Sequence, residues 1–133
     1  MVTIPDSTLD VIGRSTFRRA GAYVYAKARD VRNLANHLMV TRDDRELTVV
    51  TQEQYLGDVD VLELNPDRWQ LLTIDCANPF YCVGFIAKIA ELLSGAGIDI
   101  LVVSTFSRDW VLVKDEESGR AAELLRAAGF TEL

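Results

Sequence analysis

Hydrophobic residues fall into short clusters divided by polar turns, and their period changes from cluster to cluster. Near the start, Leu9-Asp10-Val11-Ile12 is a brief apolar run closed by Gly13 and predicts a short strand. The polar stretch Arg14 to Arg19 predicts a loop. Ala22-Tyr23-Val24-Tyr25-Ala26 is rich in residues that suit a pleated surface and predicts a strand. Val31, Leu34, Ala35 and Leu38 recur at the spacing of one helical face, with Asp30 at a capping position, which predicts a helix over 31–39. Thr41 to Arg45 reads as a charged turn and Glu46 to Thr51 as a strand carrying Leu47, Val49 and Val50. Val59 to Leu64 is a further strand, stopped by the turn Asn65-Pro66-Asp67.

Beyond that turn the pattern is sharper. Trp69 to Asp75 alternates, with Trp69, Leu71 and Thr73 on one face and Leu72 and Ile74 on the other. Asn78-Pro79 predicts a turn feeding a helix over Phe80 to Ser94, because proline loses little where the first N–H groups have no intrahelical acceptor. Ile86, Ile89, Ala90 and Leu93 form its apolar stripe, flanked by Phe85 and Leu92, and Gly95 and Gly97 end it. Ile98 to Ser104 is almost continuously apolar and predicts a strand buried on both faces. Trp110 to Lys114 predicts the next strand, and Asp115 caps a helix over Glu116 to Ala128 that closes at Gly129.

This β-α-β-β-α order is a ferredoxin-like β-α-β-β-α-β unit short of its last strand, since Phe130 to Leu133 leave little room for one. A missing strand exposes an unpaired edge. The first half is therefore expected to donate it, from Leu9 to Ile12, or a second subunit to cover the edge. The expected fold class is α+β: ferredoxin-like units in tandem on an antiparallel sheet, with helices on one face. Residues 1–66 are expected as a degenerate first half and 67–133 as the better-formed unit.

Composition narrows the function. The 133 residues are 49% apolar and 26% charged, enough to bury a core without staples. Fourteen basic residues stand against 20 acidic ones, giving a net charge of −6. Residues 1–66 hold 8 and 10 and residues 67–133 hold 6 and 10, so neither half has the basic surplus that nucleic acid requires. Cys76 and Cys82 match no zinc spacing. Lys88 and Glu91 interrupt the most apolar stretch, so no membrane span is expected, and no signal peptide is visible; the expected location is cytoplasmic. His37, the single histidine, has no nucleophile near it in sequence. Gly95-Ala96-Gly97 ends a helix rather than opening one, and Asp43, Asp44 and Glu46 lack the rest of a calcium loop. No catalytic residue, metal or cofactor is predicted.

Several segments together resemble the ACT domain family. They are Leu71-Leu72-Thr73-Ile74-Asp75, Gly84, Ile98-Asp99-Ile100, and Ser104-Thr105-Phe106-Ser107-Arg108-Asp109-Trp110-Val111-Leu112-Val113. With Val40-Thr41-Arg42-Asp43-Asp44-Arg45-Glu46-Leu47-Thr48-Val49-Val50 upstream, the likeness extends over roughly residues 40–130. It is nearest the branch of the CASTOR arginine sensors and of small tandem-ACT proteins of bacteria and archaea. The resemblance implies a non-catalytic regulatory module, working as a homodimer, that binds an amino acid or similar small zwitterion where ACT units meet. It implies ligand contacts from Pro79, Cys82, Phe85 and Ile86 where the chain approaches the helix. Across from them it implies Thr105, Phe106 and Asp109 at the strand turn. The chain departs from the arginine-sensing pattern at Cys82 and Arg108.

The residue types suit that role. N–H groups around residues 80–84 would receive a carboxylate, and Gly84 would let a ligand approach the backbone. Asp109 would hold an ammonium group, and Phe85 and Phe106 would wall a side chain. The alternative reading is an ACT-like structural or protein-interaction module with no ligand.

Overall fold

A computed structural model describes residues 3–133. Its elements are helix α1 (Asp6–Ile12), strands β1 (Thr16–Val31), β2 (Met39–Arg42), β3 (Leu47–Thr51), β4 (Val59–Leu64) and β5 (Trp69–Asp75), then helix α2 (Phe85–Ser94). Strands β6 (Ile100–Ser104) and β7 (Asp109–Lys114), helix α3 (Ser118–Ala127) and the two-residue strand β8 (Thr131–Glu132) complete the chain. The fold is α+β, as the pattern predicted. The described residues form two compact units, one of residues 3–21 with 70–133 and the other of residues 22–69. The division is thus not a single cut at the Asn65-Pro66-Asp67 turn.

In the first unit the strand order is β1-β5-β7-β6, with β8 beside β1. The core gathers Ile12, Phe17, Leu72, Ile74, Phe85, Ile89, Leu93, Val111, Val113, Ala121, Ala122 and Leu125. Phe85, Ile89 and Leu93 are the buried residues of α2, one per turn: Ile89 and Leu93 belong to the expected stripe and Phe85 to its flank, while Ile86 and Ala90 are half-buried. Strand β5 is buried from Leu71 to Ile74 on both faces. Strand β6 is not: its residues are half-buried or exposed, because it stands at the end of the strand order with β7 on one side. The doubly buried strand expected at Ile98 to Ser104 is therefore an edge strand.

Two further expectations change at the chain's start and end. Leu9 to Ile12 lies in helix α1 rather than a strand, with Thr8, Val11 and Ile12 buried at helical spacing. A four-residue apolar run fits either period, and Pro5 followed by Asp6 opens a helix, the carboxylate meeting the positive end of its dipole. The donated strand comes instead from β1, whose first residues extend through the stretch expected as a loop. The closing strand exists in minimal form: Thr131 and Glu132 pair in parallel with Thr16 and Phe17. The Thr131 and Leu133 N–H groups donate to the Ser15 and Phe17 carbonyls at 3.1 and 2.8 Å.

In the second unit β2, β3 and the later part of β1 are neighbours in that order, and β4 also pairs with β1. Ala26, Ala28, Leu47, Val49 and Val59 form its core. The helix expected over 31–39 is absent. Strand β1 runs on to Val31, a 3-10 turn covers Leu34–Asn36, and Met39 begins β2. Asn33 is left-handed at φ 54°, which breaks any helix there. Leu34, on the intended apolar stripe, is 63% exposed. Polar side chains hold the loop instead. Asn33 and Asn36 donate to Asp58 at 3.0 and 3.2 Å, and the His37 ring contacts the Thr51 hydroxyl and the Arg32 carbonyl. That is the role of the single histidine.

Candidate functional site

The segment after β5 approaches α2 by an irregular path. Phe80 takes φ 68° and Gly84 takes φ 80°, two left-handed residues that no α-helix accommodates. The helix accordingly starts at Phe85, not Phe80. Asn78 Nδ2 donates to the Tyr81 carbonyl at 3.2 Å and the Phe85 N–H to the Cys82 carbonyl at 3.2 Å, closing two successive turns. The N–H groups at 80–84, expected inside the helix, therefore precede it: the helix terminus lies at Gly84.

Between this segment and the β6–β7 connection lies a cavity of about 170 Å³. Pro79, Cys82, Phe85 and Ile86 line one side, and Thr105, Phe106 and Asp109 line the other. Seven of the eight residues singled out in the sequence thus surround one space. Gly84 does not: its side-chain position faces Ile4, whose Cδ1 would stand 3.0 Å from an added Cβ. The cavity also takes in Cys76, Phe80, Ser104, Ser107 and Arg108, which the sequence reading left out. Phe80 and Phe106 meet edge to face at 5.4 Å between centroids, and both are largely exposed, so they form an aromatic lip.

Polar groups fix the connection. Ser104 Oγ donates to Asp109 Oδ1 at 2.6 Å. The Thr105 hydroxyl accepts from the Arg108 N–H and donates to its carbonyl, both at 3.1 Å, so it is engaged within the turn. Arg108 Nε donates to Asp75 Oδ1 at 2.9 Å, joining the connection to the end of β5 instead of pointing into solvent. Burial pushes the Cys76 thiol above its ordinary pKa, opposed by a hydrogen bond from the Asn78 backbone.

The first residues of the chain buttress the cavity. Thr8 Oγ1 donates to the Val83 carbonyl at 2.5 Å. Ser15 Oγ donates to the Val11 carbonyl at 2.7 Å and accepts from the Ala77 N–H at 3.0 Å. No motif in residues 1–15 signals these supports, because they depend on contacts across more than sixty positions. Among the described residues no cluster of three or more His, Cys, Asp or Glu is placed to hold a metal ion. No helix among them is long and apolar enough to cross a membrane.

Residues 65–127 match the family model of the ACT domain. No curated protein matches the chain. Among solved structures, a Vibrio cholerae protein of unknown function, a possible transport protein, aligns with TM-score 0.73 and 20% identity over 93% of this chain and 96% of its own. A protein from Agrobacterium tumefaciens aligns with TM-score 0.71 and 28% identity over 90% and 92%. The ligand-free regulatory subunit of aspartate kinase from Thermus thermophilus aligns with TM-score 0.60 and 13% identity over 86% and 95%. At such identities the first and third establish likeness of fold alone.

Proposed function

We propose that this chain is a non-catalytic regulatory module that binds an amino acid, or a similar small zwitterion, in the cavity between the 76–86 segment and the β6–β7 connection. ACT domains are commonly amino-acid-binding regulators, and residues 65–127 match that family. The observation that carries the reading is the convergence of Pro79, Cys82, Phe85, Ile86, Thr105, Phe106 and Asp109 on one cavity. In it a carboxylate side chain and exposed aromatic faces lie opposite a helix start. Asp109 receives the ammonium group, and the N–H groups opening α2, from Phe85 onward, receive the carboxylate. Phe80 and Phe106 cover the ligand side chain. A tandem of two ACT-like units belongs to this reading, as does a homodimer formed along the β6 edge.

A thermal-shift screen with the twenty amino acids tests it. A ligand that binds the native state raises the melting temperature by mass action. For the ligand found, calorimetry on Asp109→Ala should show affinity lowered about 10- to 100-fold, as expected for a charge-assisted contact of about 1.5–3 kcal/mol. Unchanged affinity removes Asp109 from the site. No shift with any amino acid favours the second reading, a module of ACT type kept for protein interaction, to which the exposed Phe80, Tyr81, Val83 and Phe106 would contribute the apolar surface.

A further inference from the structure

The two cysteines of the chain meet in the candidate cavity. Cys76 is buried just past the end of β5, and Cys82 is half-buried on the far side of the turn at Asn78-Pro79. Both line the cavity, and Cys82 packs against the core cluster that contains Cys76. Burial first, and then the nearby Cys82 thiol, push the Cys76 thiol above its ordinary pKa. Five residues, 77–81, separate them; within that loop Asn78 Nδ2 donates to the Tyr81 carbonyl, and the Ala77 N–H ties its start to Ser15 Oγ.

We infer that Cys76 and Cys82 are a redox-modification site, a dithiol that converts to an intramolecular disulfide when the protein meets a low-molecular-weight disulfide. Cys82, the more exposed thiol, loses its proton to water and attacks one sulfur of the incoming disulfide. One small thiolate leaves and a mixed disulfide forms on Cys82. The Cys76 thiol, beside it, then gives up its proton and attacks the Cys82 sulfur, releasing the second small thiolate. Two protein S–H bonds and one S–S bond are lost, one protein S–S bond is made, and the small disulfide is reduced to two thiols. The crosslink fastens the 77–82 loop, with Pro79 and Phe80, to the end of β5 and sets the shape of the cavity's floor. The inference is independent of the ligand reading, since it requires no amino acid to bind.

Trypsin releases both cysteines in one peptide, residues 69–88, which makes the test direct. The folded chain is incubated with oxidised glutathione, quenched with an alkylating agent and digested. The expected product is the 69–88 peptide lighter by two hydrogens, carrying neither alkyl group nor glutathione. Cys76→Ser should instead accumulate the glutathione adduct on Cys82, at least tenfold above wild type. Cys82→Ser should leave Cys76 open to alkylation only after unfolding. A lasting glutathione adduct on the wild type, a disulfide between two chains, or two thiols still alkylated after incubation would each overturn the inference. The wild-type result decides even if a variant folds poorly.

Discussion

Asp109 can hold its strand turn and still carry charge to a ligand, because an ionised carboxylate has about four acceptor positions. The Ser104 hydroxyl occupies one of them. Asp109→Asn keeps that acceptor and removes the charge. It should leave thermal stability within about 0.5 kcal/mol of wild type, the usual range for a substitution outside the core that keeps its hydrogen-bond acceptor, while weakening amino-acid binding about tenfold in calorimetry. Glu132 gives a separate residue-scale test. The Arg19 hydrogen bond, with a further contribution from Arg126, holds its carboxyl below the usual glutamate range. A carboxyl whose pKa is lower folded than unfolded adds stability above the unfolded value, and that stability is lost as pH falls through the folded value. Glu132→Gln should therefore lower urea midpoints at neutral pH and flatten their decline in acid. Identical pH profiles would show that the pair contributes nothing. As residues lining the cavity, Asp109 and Phe106 are legible because chemistry and turn position coincide in the sequence. Ser15 and Thr8 are not, because a lone hydroxyl becomes a support only when a distant carbonyl arrives.

At the scale of elements, the segment between β5 and α2 decides the site, and Gly84 is its narrowest point. With φ 80° a side chain there is strained, and an added Cβ would also press on Ile4. Gly84→Ala should cost about 1–2 kcal/mol for the left-handed backbone, read as a lower urea midpoint at unchanged slope. Truncating Ile4 in the same chain relieves only the contact, so most of the loss should remain; full recovery would assign it to packing. The same geometry explains why the helix start was misplaced by five residues. Periodicity from Phe80 onward looks helical, but two left-handed residues carry no periodic signal, and Asn78-Pro79 marks a turn without giving its length. The 31–39 stripe failed for a related reason: the pattern promised an apolar face, yet Leu34 has no surface to bury it. Strands β4, β5 and β7 were legible nearly to the residue, since short alternating or apolar runs bounded by turns leave little choice.

For the whole molecule, the open question is what meets the free side of β6. Ile100, Leu101, Val102 and Val103 form an apolar strand that ends its strand order, and Val102 is 38% exposed. Exposed apolar edges of this kind invite pairing with another chain, and proteins that stay monomeric usually blunt them with charge, proline or a bulge. Register with β7 is unbroken from Ile100 to Ser104, so no bulge turns this edge away. A second copy offers the same edge, and two β6 strands related by a two-fold axis would run antiparallel and continue the sheet across the pair. Light scattering over a concentration series should give twice the 14.8 kDa chain mass. Val102→Lys places a charge on that edge while its backbone keeps the β7 ladder, so it should shift the series to the single-chain mass without lowering the melting temperature of a dilute sample. A wild-type chain that stays at the single mass at high concentration rules out the paired edge. A Val102→Lys chain that still dimerises moves the interface elsewhere, and the exposed aromatic lip of Phe80 and Phe106 becomes the next surface to mutate.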